Sequence, residues 1–260
     1  MYSFDSRIRY SETDENLVLR IPALINYFQD CSTFQTEEIG AGWHYLHEQG
    51  LAWVLAYWQI DITRLPSLYE RVRVGTVPYA LKGFSGLRNY FMDALDEAGN
   101  ETGERLAVAN SFWALMDMKE MIPARMTEEH QSRYTLEEKL PMEYRDRKIR
   151  LPKEGGIEAA PLTVHAHHLD SNGHVNNGQY VAMAMEALAE SGKQIAAHVP
   201  EGDGRNILRL RTEYKKQARL GDTLTPFFFE ETDEEKGTRL CTVDLRLRGE
   251  SCCVAELTYF

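Results

Sequence analysis

A short polar segment in the second half of the chain concentrates side chains that are able to do acid–base chemistry. Asp170, Asn172 and His174 alternate along it, so in an extended stretch all three would point the same way. An imidazole with its ordinary pKa of about 6.5 suits a general base that acts on water at neutral pH. Asp170 would hold or polarise His174, and Asn172 would donate a hydrogen bond to a carbonyl oxygen. The segment is therefore the candidate catalytic site.

A helix predicted directly after the segment would position it. Residues 177–190 carry apolar side chains at helical spacing, and Gly192 follows where a helix would end. A helix that starts near Asn176 would turn its free N–H groups toward the polar segment, and these groups favour negative charge. The alternative is that Asn176 or Asn177 caps the helix while His174 packs in the interior.

The first half repeats this order of elements. Pro22 stands where a helix could begin, and Leu24 and Phe28 belong to its apolar face. Four strands are predicted after each helix, at 51–62, 71–77, 84–95 and 106–118, and at 207–216, 223–230, 239–247 and 252–259. Turns at 96–100 and 233–237 predict a hairpin in each half. A helix followed by long antiparallel strands indicates an α+β fold in which each half wraps its sheet around its helix.

A shift of 156 residues aligns the two halves. It places Asp14 on Asp170 and Asn16 on Asn172, but Val18 on His174. We therefore predict an internal duplication with one active site per chain, in the second half. The expected domains are 1–126, a charged linker at 127–158 that buries little and holds one short helix around Leu136, and 159–260.

Composition narrows the class of protein. The chain has 260 residues with 29 Lys and Arg against 40 Asp and Glu, a formal charge of −11. This balance argues against a general binder of nucleic acids or anionic membranes, because the repulsion of phosphates would have to be overcome locally. No apolar run approaches the roughly 18 residues of a membrane span, so no membrane insertion is expected. The start of the chain lacks the apolar core of a signal peptide. Four cysteines without a C-x-x-C pair predict free buried thiols and a cytoplasmic protein.

Three neighbouring histidines suggest a metal site as an alternative. His165, His167 and His168 lie near Asp170, but strand alternation would send His168 to the opposite face from the other two. No second cluster of His or Cys completes a ligand set in the sequence. We expect neither a metal nor a cofactor.

The motif L-D-x-N-x-H-V-N-N at 169–177 resembles a hallmark of the acyl-acyl carrier protein thioesterases of plants and bacteria. The resemblance continues at Tyr180 and Glu186 and resumes in the E-Y-K-K stretch at 213–216. It implies a double hot-dog fold and release of a free fatty acid from acyl carrier protein. It also implies catalytic roles for Asp170, Asn172 and His174. We expect substrate-binding contributions from the following side chains: Asn176, Asn177, Tyr180, Leu24 and Phe28.

The chain departs from the plant members after Lys216. They have a Glu–Cys pair where this chain has Gln217 and Ala218, so a cysteine nucleophile is excluded at that place. Gln217 lacks the basicity of a carboxylate but is able to hydrogen-bond a water or an acyl carbonyl. Attack by water, activated or oriented by His174 with Asp170, is the expected route, and sequence does not decide which of the two takes the proton.

An acidic carrier protein, which the resemblance implies as partner, requires a local basic patch on this acidic chain. The candidate docking residues are Arg209, Arg211, Lys215 and Lys216, with Arg205 and Arg219 nearby. The basic run at 145–150 is a second candidate. The alternative is that both are ordinary solvated charged surfaces.

Three other functions fit parts of the pattern. An acyl-coenzyme A thioesterase would use the basic cluster to bind a nucleotide. A hot-dog hydratase would also use an acid and a histidine, but would leave the thioester intact. A non-catalytic acyl-thioester binding protein would leave Asp170, Asn172 and His174 without a purpose. We expect a monomer or a homodimer, because a double fold already pairs two units.

Overall fold

The computed structural model describes residues 1–192, 207–235 and 237–259. The helices are α1 Ile21–Glu38, α2 Trp43–Glu48, α3 Glu128–Ser132 and α4 Asn177–Glu190. The strands of the first half are β1 Tyr2–Arg7, β2 Leu51–Ile62, β3 Arg71–Lys82, β4 Ser85–Leu95, β5 Glu101–Asp117 and β6 Ile122–Pro123. Those that follow are β7 Ile157–Glu158, β8 Leu162–Thr163, β9 Ile207–Tyr214, β10 Thr223–Asp233, β11 Thr238–Leu247 and β12 Glu250–Tyr259. The two long helices, the eight predicted strands and both hairpins are confirmed, while β1 and α2 were not predicted.

The strands form one continuous sheet rather than two separate wrapped sheets. Its order is β1-β3-β4-β5-β2-β9-β12-β11-β10-β7, with β6 beside β5 and β8 beside β10. The halves join where β2 pairs with β9, from Tyr57 opposite Glu213 to Asp61 opposite Arg209. Each of these strands would otherwise leave an edge of unpaired N–H and C=O groups. Pairing them satisfies both edges and fixes the two halves side by side.

Both long helices lie on the same face of this sheet and pack on each other. The approach is closest at Gly178, where an added Cβ would lie 3.1 Å from Oδ1 of Asn26 and 3.2 Å from the carbonyl oxygen of Pro22. Beneath α1, Phe28, Trp58 and Tyr90 pack ring to ring with centroids 4.8–6.0 Å apart. The main core is continuous through both halves.

Most residues of the linker are exposed, as predicted, but the linker is not a free tether. It runs along the outer face of the sheet, where the amide oxygen of Asn89 accepts from the Leu140 N–H and the Tyr144 hydroxyl, each at 3.0 Å. Ile149 is 2% exposed. Polar side chains on that face bind the linker backbone, an interaction that composition alone does not reveal.

The short helix of the linker lies at α3 and not around Leu136, which is exposed and outside any helix. Thr127 sets its start, because its side-chain oxygen accepts from the backbone N–H of His130 at 3.1 Å.

All four cysteines are free and buried, as predicted. Among the described residues, no helix is long and apolar enough to cross a membrane.

Candidate active site

The segment that carries the candidate catalytic residues is a tight loop, not an extended stretch. Leu169 pairs with Val175 across it, and the Asp170 N–H donates to the His174 carbonyl at 2.8 Å. Gly173 has a φ of +73°, a left-handed conformation that glycine adopts without strain. The prediction that Asp170, Asn172 and His174 share one face by strand alternation is therefore wrong, since the chain reverses between them.

Asp170 organises this loop. Its Oδ1 accepts the backbone N–H of Asn172 at 2.8 Å and that of His174 at 3.3 Å. A carboxylate that bonds the backbone two residues on stabilises a turn of this kind. Asp170 therefore fixes the backbone positions from which the side chains of Asn172 and His174 extend.

The start of α4 shows what the two asparagines do. Asn176 is the N-cap, as the alternative interpretation proposed: its Oδ1 accepts the Gly178 N–H at 2.9 Å. Asn177 joins the helices, because its Nδ2 donates to Oε1 of Gln29 on α1 at 2.8 Å. The backbone N–H of Asn177 has no acceptor among the described residues. It is the first free donor of the helix and lies next to the loop.

His174 is half-buried. Its Nε2 is shielded from solvent and has no hydrogen-bond partner within the described part of the chain. Burial lowers the pKa of the imidazole below its usual value, and the charge of Arg219 lowers it further, against the opposing effect of Asp170. The ring is therefore mainly neutral at pH 7, and its Nε2 is left without a hydrogen bond within the described part of the chain.

Tyr180 holds the segment that follows β9 against the loop. Its hydroxyl accepts the Ala218 N–H at 2.8 Å, and the Val175 N–H donates to the Ala218 carbonyl at 3.0 Å. Tyr180 is thus buried in a structural contact. The same contact places Gln217 beside the candidate catalytic loop, where its side chain is exposed and has no hydrogen bond among the described residues.

A mostly apolar cavity of about 320 Å³ lies within the first half and meets the loop at Asn172. Its wall comes from α1, α2, strands β2–β5, the turn after β5 and the segment after α3, and its main side chains are Ser32, Thr36, Trp43, Leu46, Trp53, Leu81, Leu87, Arg88, Trp113, Met118 and Tyr134. Leu24 and Phe28, the predicted pocket residues, are fully buried in the core and do not line it. They face the filled part of the sheet, whereas the cavity opens one turn further along α1. Strand alternation assigns the inward-facing positions of β2, β4 and β5, and these positions were the sequence signal that could have located the cavity.

Internal ion pairs already engage much of the predicted docking cluster. Arg209 bonds Asp61 at 2.6 Å, and Arg211 bonds Glu256 at 2.5 Å with 12% of its side chain exposed. Lys215 lies 3.7 Å from Glu213, and Lys216 pairs with Glu250 at the surface. Arg205 lies outside the described residues. The two arginines therefore hold strands together, and the two lysines are the more exposed members.

The three clustered histidines make ring contacts with each other, with centroids 4.1–5.8 Å apart. The described part of the chain contains no group of three or more His, Cys, Asp or Glu side chains arranged to hold a metal ion.

Each half of the chain matches a separate domain of a known protein family. Residues 1–134 match the acyl-ACP thioesterase N-terminal domain, and residues 153–259 match the acyl-ACP thioesterase C-terminal domain. A chloroplastic acyl-[acyl-carrier-protein] hydrolase of Cuphea viscosissima is 28% identical over 197 residues, which cover 70% of this chain and 45% of that protein. A chloroplastic palmitoyl-acyl carrier protein thioesterase of Cuphea hookeriana is 30% identical over 148 residues, 55% of this chain and 34% of that protein. The chain thus matches less than half the length of these relatives.

Solved structures share the fold over almost the whole chain. An acyl-ACP thioesterase from Bacteroides thetaiotaomicron superposes with a TM-score of 0.78 at 23% identity, covering 99% of this chain and 97% of that one. A 12:0-ACP thioesterase from Umbellularia californica superposes with a TM-score of 0.82 at 18% identity, covering 100% and 93%. Two matched domains spanning most of the sequence, together with this shared double hot-dog fold, establish that the chain belongs to the acyl-ACP thioesterase family.

Proposed function

We propose that this protein hydrolyses the thioester bond between a fatty acyl chain and acyl carrier protein, releasing the free fatty acid. One observation carries the proposal: Asn172 of the catalytic loop borders the apolar cavity of the other half. A thioester held at the loop would place its acyl chain in that cavity. Each buried CH₂ group contributes about 0.8 kcal/mol, so the cavity would bind the chain without polar contacts.

Water is the proposed nucleophile. The neutral His174 takes a proton from water as the water oxygen attacks the thioester carbonyl carbon. Asn172 and the free N–H of Asn177 donate to the oxyanion that forms. When the C–S bond breaks, the imidazolium returns its proton to the departing thiolate. Asp170 holds the loop and stabilises the transient positive charge on His174, in keeping with its effect on the pKa of that ring.

The absence of a cysteine beside Gln217 supports the water route. Gln217 stands next to the loop and would orient the attacking water through its side-chain amide. The role of Asn176 is then to cap α4, and that of Tyr180 is to hold the 216–218 segment in place.

The carrier protein would dock near the same loop. Lys215 and Lys216 follow β9 directly and come just before Ala218, whose backbone contacts the loop. These lysines are more exposed than the arginines of the cluster, so they would supply the positive charge for an acidic partner. Four free, buried thiols fit a reducing compartment such as the cytoplasm.

The test is release of free thiol from a series of acyl carrier protein thioesters of different chain lengths, with acyl-coenzyme A esters of the same lengths alongside. We expect faster release from the carrier-protein esters, and loss of release in His174→Ala. Equal or faster release from the coenzyme A esters would identify an acyl-coenzyme A thioesterase instead. A folded protein that releases no thiol from either series would contradict the proposal.

A further inference from the structure

A buried arginine interrupts the apolar wall of the cavity. Arg88 on β4 is 7% exposed, which makes it the most deeply buried arginine of the described residues. Its Nη1 donates to Oε1 of Gln35 on α1 and to Oγ1 of Thr76 on β3, the latter at 3.3 Å. Both partners are neutral, so the guanidinium charge is not balanced by them.

Arg88 differs from the other interior arginines of the sheet. Arg209 and Arg211 each form an ion pair with a carboxylate at 2.5–2.6 Å. Within the described residues Arg88 has no carboxylate within 4.0 Å, and its Nε and Nη2 donate to no protein acceptor. The side chain lines the cavity, so these donors are available to a ligand that enters it.

The position of Arg88 in the sheet places it where the cavity ends. The next inward residue of β4 on one side is Tyr90, which is fully buried in the core. On the other side it is Gly86, where an added Cβ would lie 3.3 Å from the side chains of both Leu81 and Trp53 in the cavity wall. Arg88 thus stands at the boundary between the filled core and the cavity.

A plain hydrocarbon chain is a poor neighbour for this group. A buried charge is costly unless it is paired or hydrogen-bonded, and a hydrocarbon would exclude water from Arg88 without replacing its hydrogen bonds. An oxygen acceptor on the acyl chain would accept hydrogen bonds from the Nε and Nη2 donors of Arg88, which the protein leaves without acceptors. A site built to hydrogen-bond such a group discriminates strongly against the analogue that lacks it.

We propose that the cavity binds acyl chains that carry an oxygen acceptor — an oxo, hydroxyl or terminal carboxylate group — and that Arg88 selects them by donating hydrogen bonds to it. The inference rests on the proposed function in taking the cavity as the acyl site. It goes beyond it by naming an oxygenated acyl group as the preferred substrate class.

The experiment compares thioesters of one chain length on one carrier: the saturated acyl group, acyl groups with an oxo or hydroxyl oxygen moved carbon by carbon, and the ω-carboxyacyl group. We expect at least one oxygenated substrate to exceed the saturated one in kcat/KM by about tenfold or more. Arg88→Met, which keeps an unbranched side chain without charge, should abolish that preference. Arg88→Lys should keep part of it. Arg105→Met is the matched control, since Arg105 lies on β5 outside the cavity and pairs with Asp93.

The preference is a ratio within one protein preparation, so it does not depend on how much of a variant is folded. The proposal is overturned if the wild-type protein cleaves the saturated chain as fast as every oxygenated one. It is equally overturned if Arg88→Met changes all rates alike. If neither Arg88 variant folds, the wild-type ratio alone decides.

A binding measurement separates this inference from the hydrolase proposal. Acyl-pantetheine amides, in which N–H replaces the thioester sulfur, are not hydrolysed, and their affinity is measured by calorimetry. Tighter binding of the oxygenated amide to the wild type, lost in Arg88→Met, would support the inference even if no thioester were cleaved. Equal binding of both amides would overturn it even if thioesters were cleaved.

Discussion

The loops that precede the two long helices have the same backbone and differ in chemistry. In the first half, Oδ1 of Asp14 accepts the N–H groups of Asn16 and Val18 at 2.9 and 3.0 Å. In the second half, Oδ1 of Asp170 accepts the N–H groups of Asn172 and His174, which are the equivalent residues 156 positions further on, at 2.8 and 3.3 Å. Each loop is also closed by a backbone hydrogen bond, from the Asp14 N–H to the Val18 carbonyl at 2.9 Å and from the Asp170 N–H to the His174 carbonyl at 2.8 Å. Each contains one residue in the left-handed conformation, Leu17 in the first loop and Gly173 in the second. The repeat predicted from sequence is therefore present in the local geometry.

The comparison separates architecture from catalysis. Asp14 makes the same hydrogen bonds without a neighbouring histidine. An aspartate at this position therefore stabilises the loop whether or not the loop carries a histidine. Val18 is buried in the core, whereas His174 is half-buried with a free nitrogen. The first half instead holds the cavity. Under the proposed function, the reactive loop would lie in one half and the acyl-binding space in the other.

Removal of the imidazole should have the largest effect. We expect His174→Ala to lower kcat by about 100-fold or more, since it removes the general base. Val18→Ala alters the equivalent position of the first loop and should lower stability without such a loss of turnover. Thiol release from acyl carrier protein thioesters measures both. A His174→Ala enzyme within threefold of wild type would remove His174 from the mechanism.

The pH dependence should be next in size. Burial and Arg219 lower the pKa of His174, so the base stays neutral down to a pH below 6.5. Turnover should be level around pH 7 and fall about tenfold per pH unit below the lowered pKa. Stability has the same sign: the unfolded chain binds the proton more readily, so the free energy of unfolding decreases as the pH falls below the unfolded pKa of about 6.5. His174→Gln should lack this component in urea denaturation. A turnover midpoint above pH 7 would contradict the assignment.

Exchange of each aspartate for asparagine tests whether charge matters in only one loop. Asparagine keeps an oxygen that accepts the same two N–H groups, so both loops should retain their shape. Asp170→Asn should lower kcat by about tenfold, because the positive charge on His174 loses its stabilising neighbour. Asp14→Asn should leave kcat unchanged. If Asp170→Asn is also unchanged, the carboxylate acts only in the loop.

Alanine at the same two positions tests whether the loops are equivalent in the fold. Each substitution removes a side-chain acceptor for two backbone N–H groups, which should lower the free energy of unfolding by about 1–2 kcal/mol. Denaturant unfolding of Asp14→Ala and Asp170→Ala should therefore give similar losses. A large loss for only one of them would show that the shared hydrogen bonds do not have the same weight in the two halves.

Most of the element pattern could be predicted from local sequence, and the site only in part. Helix α4 begins and ends where its apolar spacing and Asn176 predict, because capping and periodicity act over a few residues. The loop before it was interpreted as extended because Gly173 and the side-chain acceptor of Asp170 reverse the chain, which alternation does not take into account. The linker was interpreted as a solvated tether for a similar reason, since its backbone bonds to Asn89 and Gln59 on distant strands.

The sequence by itself determined the order of the two long helices and the eight long strands that follow them, the repeat of 156 residues and the family that the 169–177 motif indicates. These are local patterns, and periodicity, caps and turn residues record them directly. Only the tertiary structure decided that β2 and β9 merge the halves into one sheet and that Asn172 meets a cavity of the other half. It also decided that Arg88 is buried without a carboxylate while Arg209 and Arg211 are paired. Such contacts join residues far apart in the chain, and the packing of the whole molecule determines which of them form.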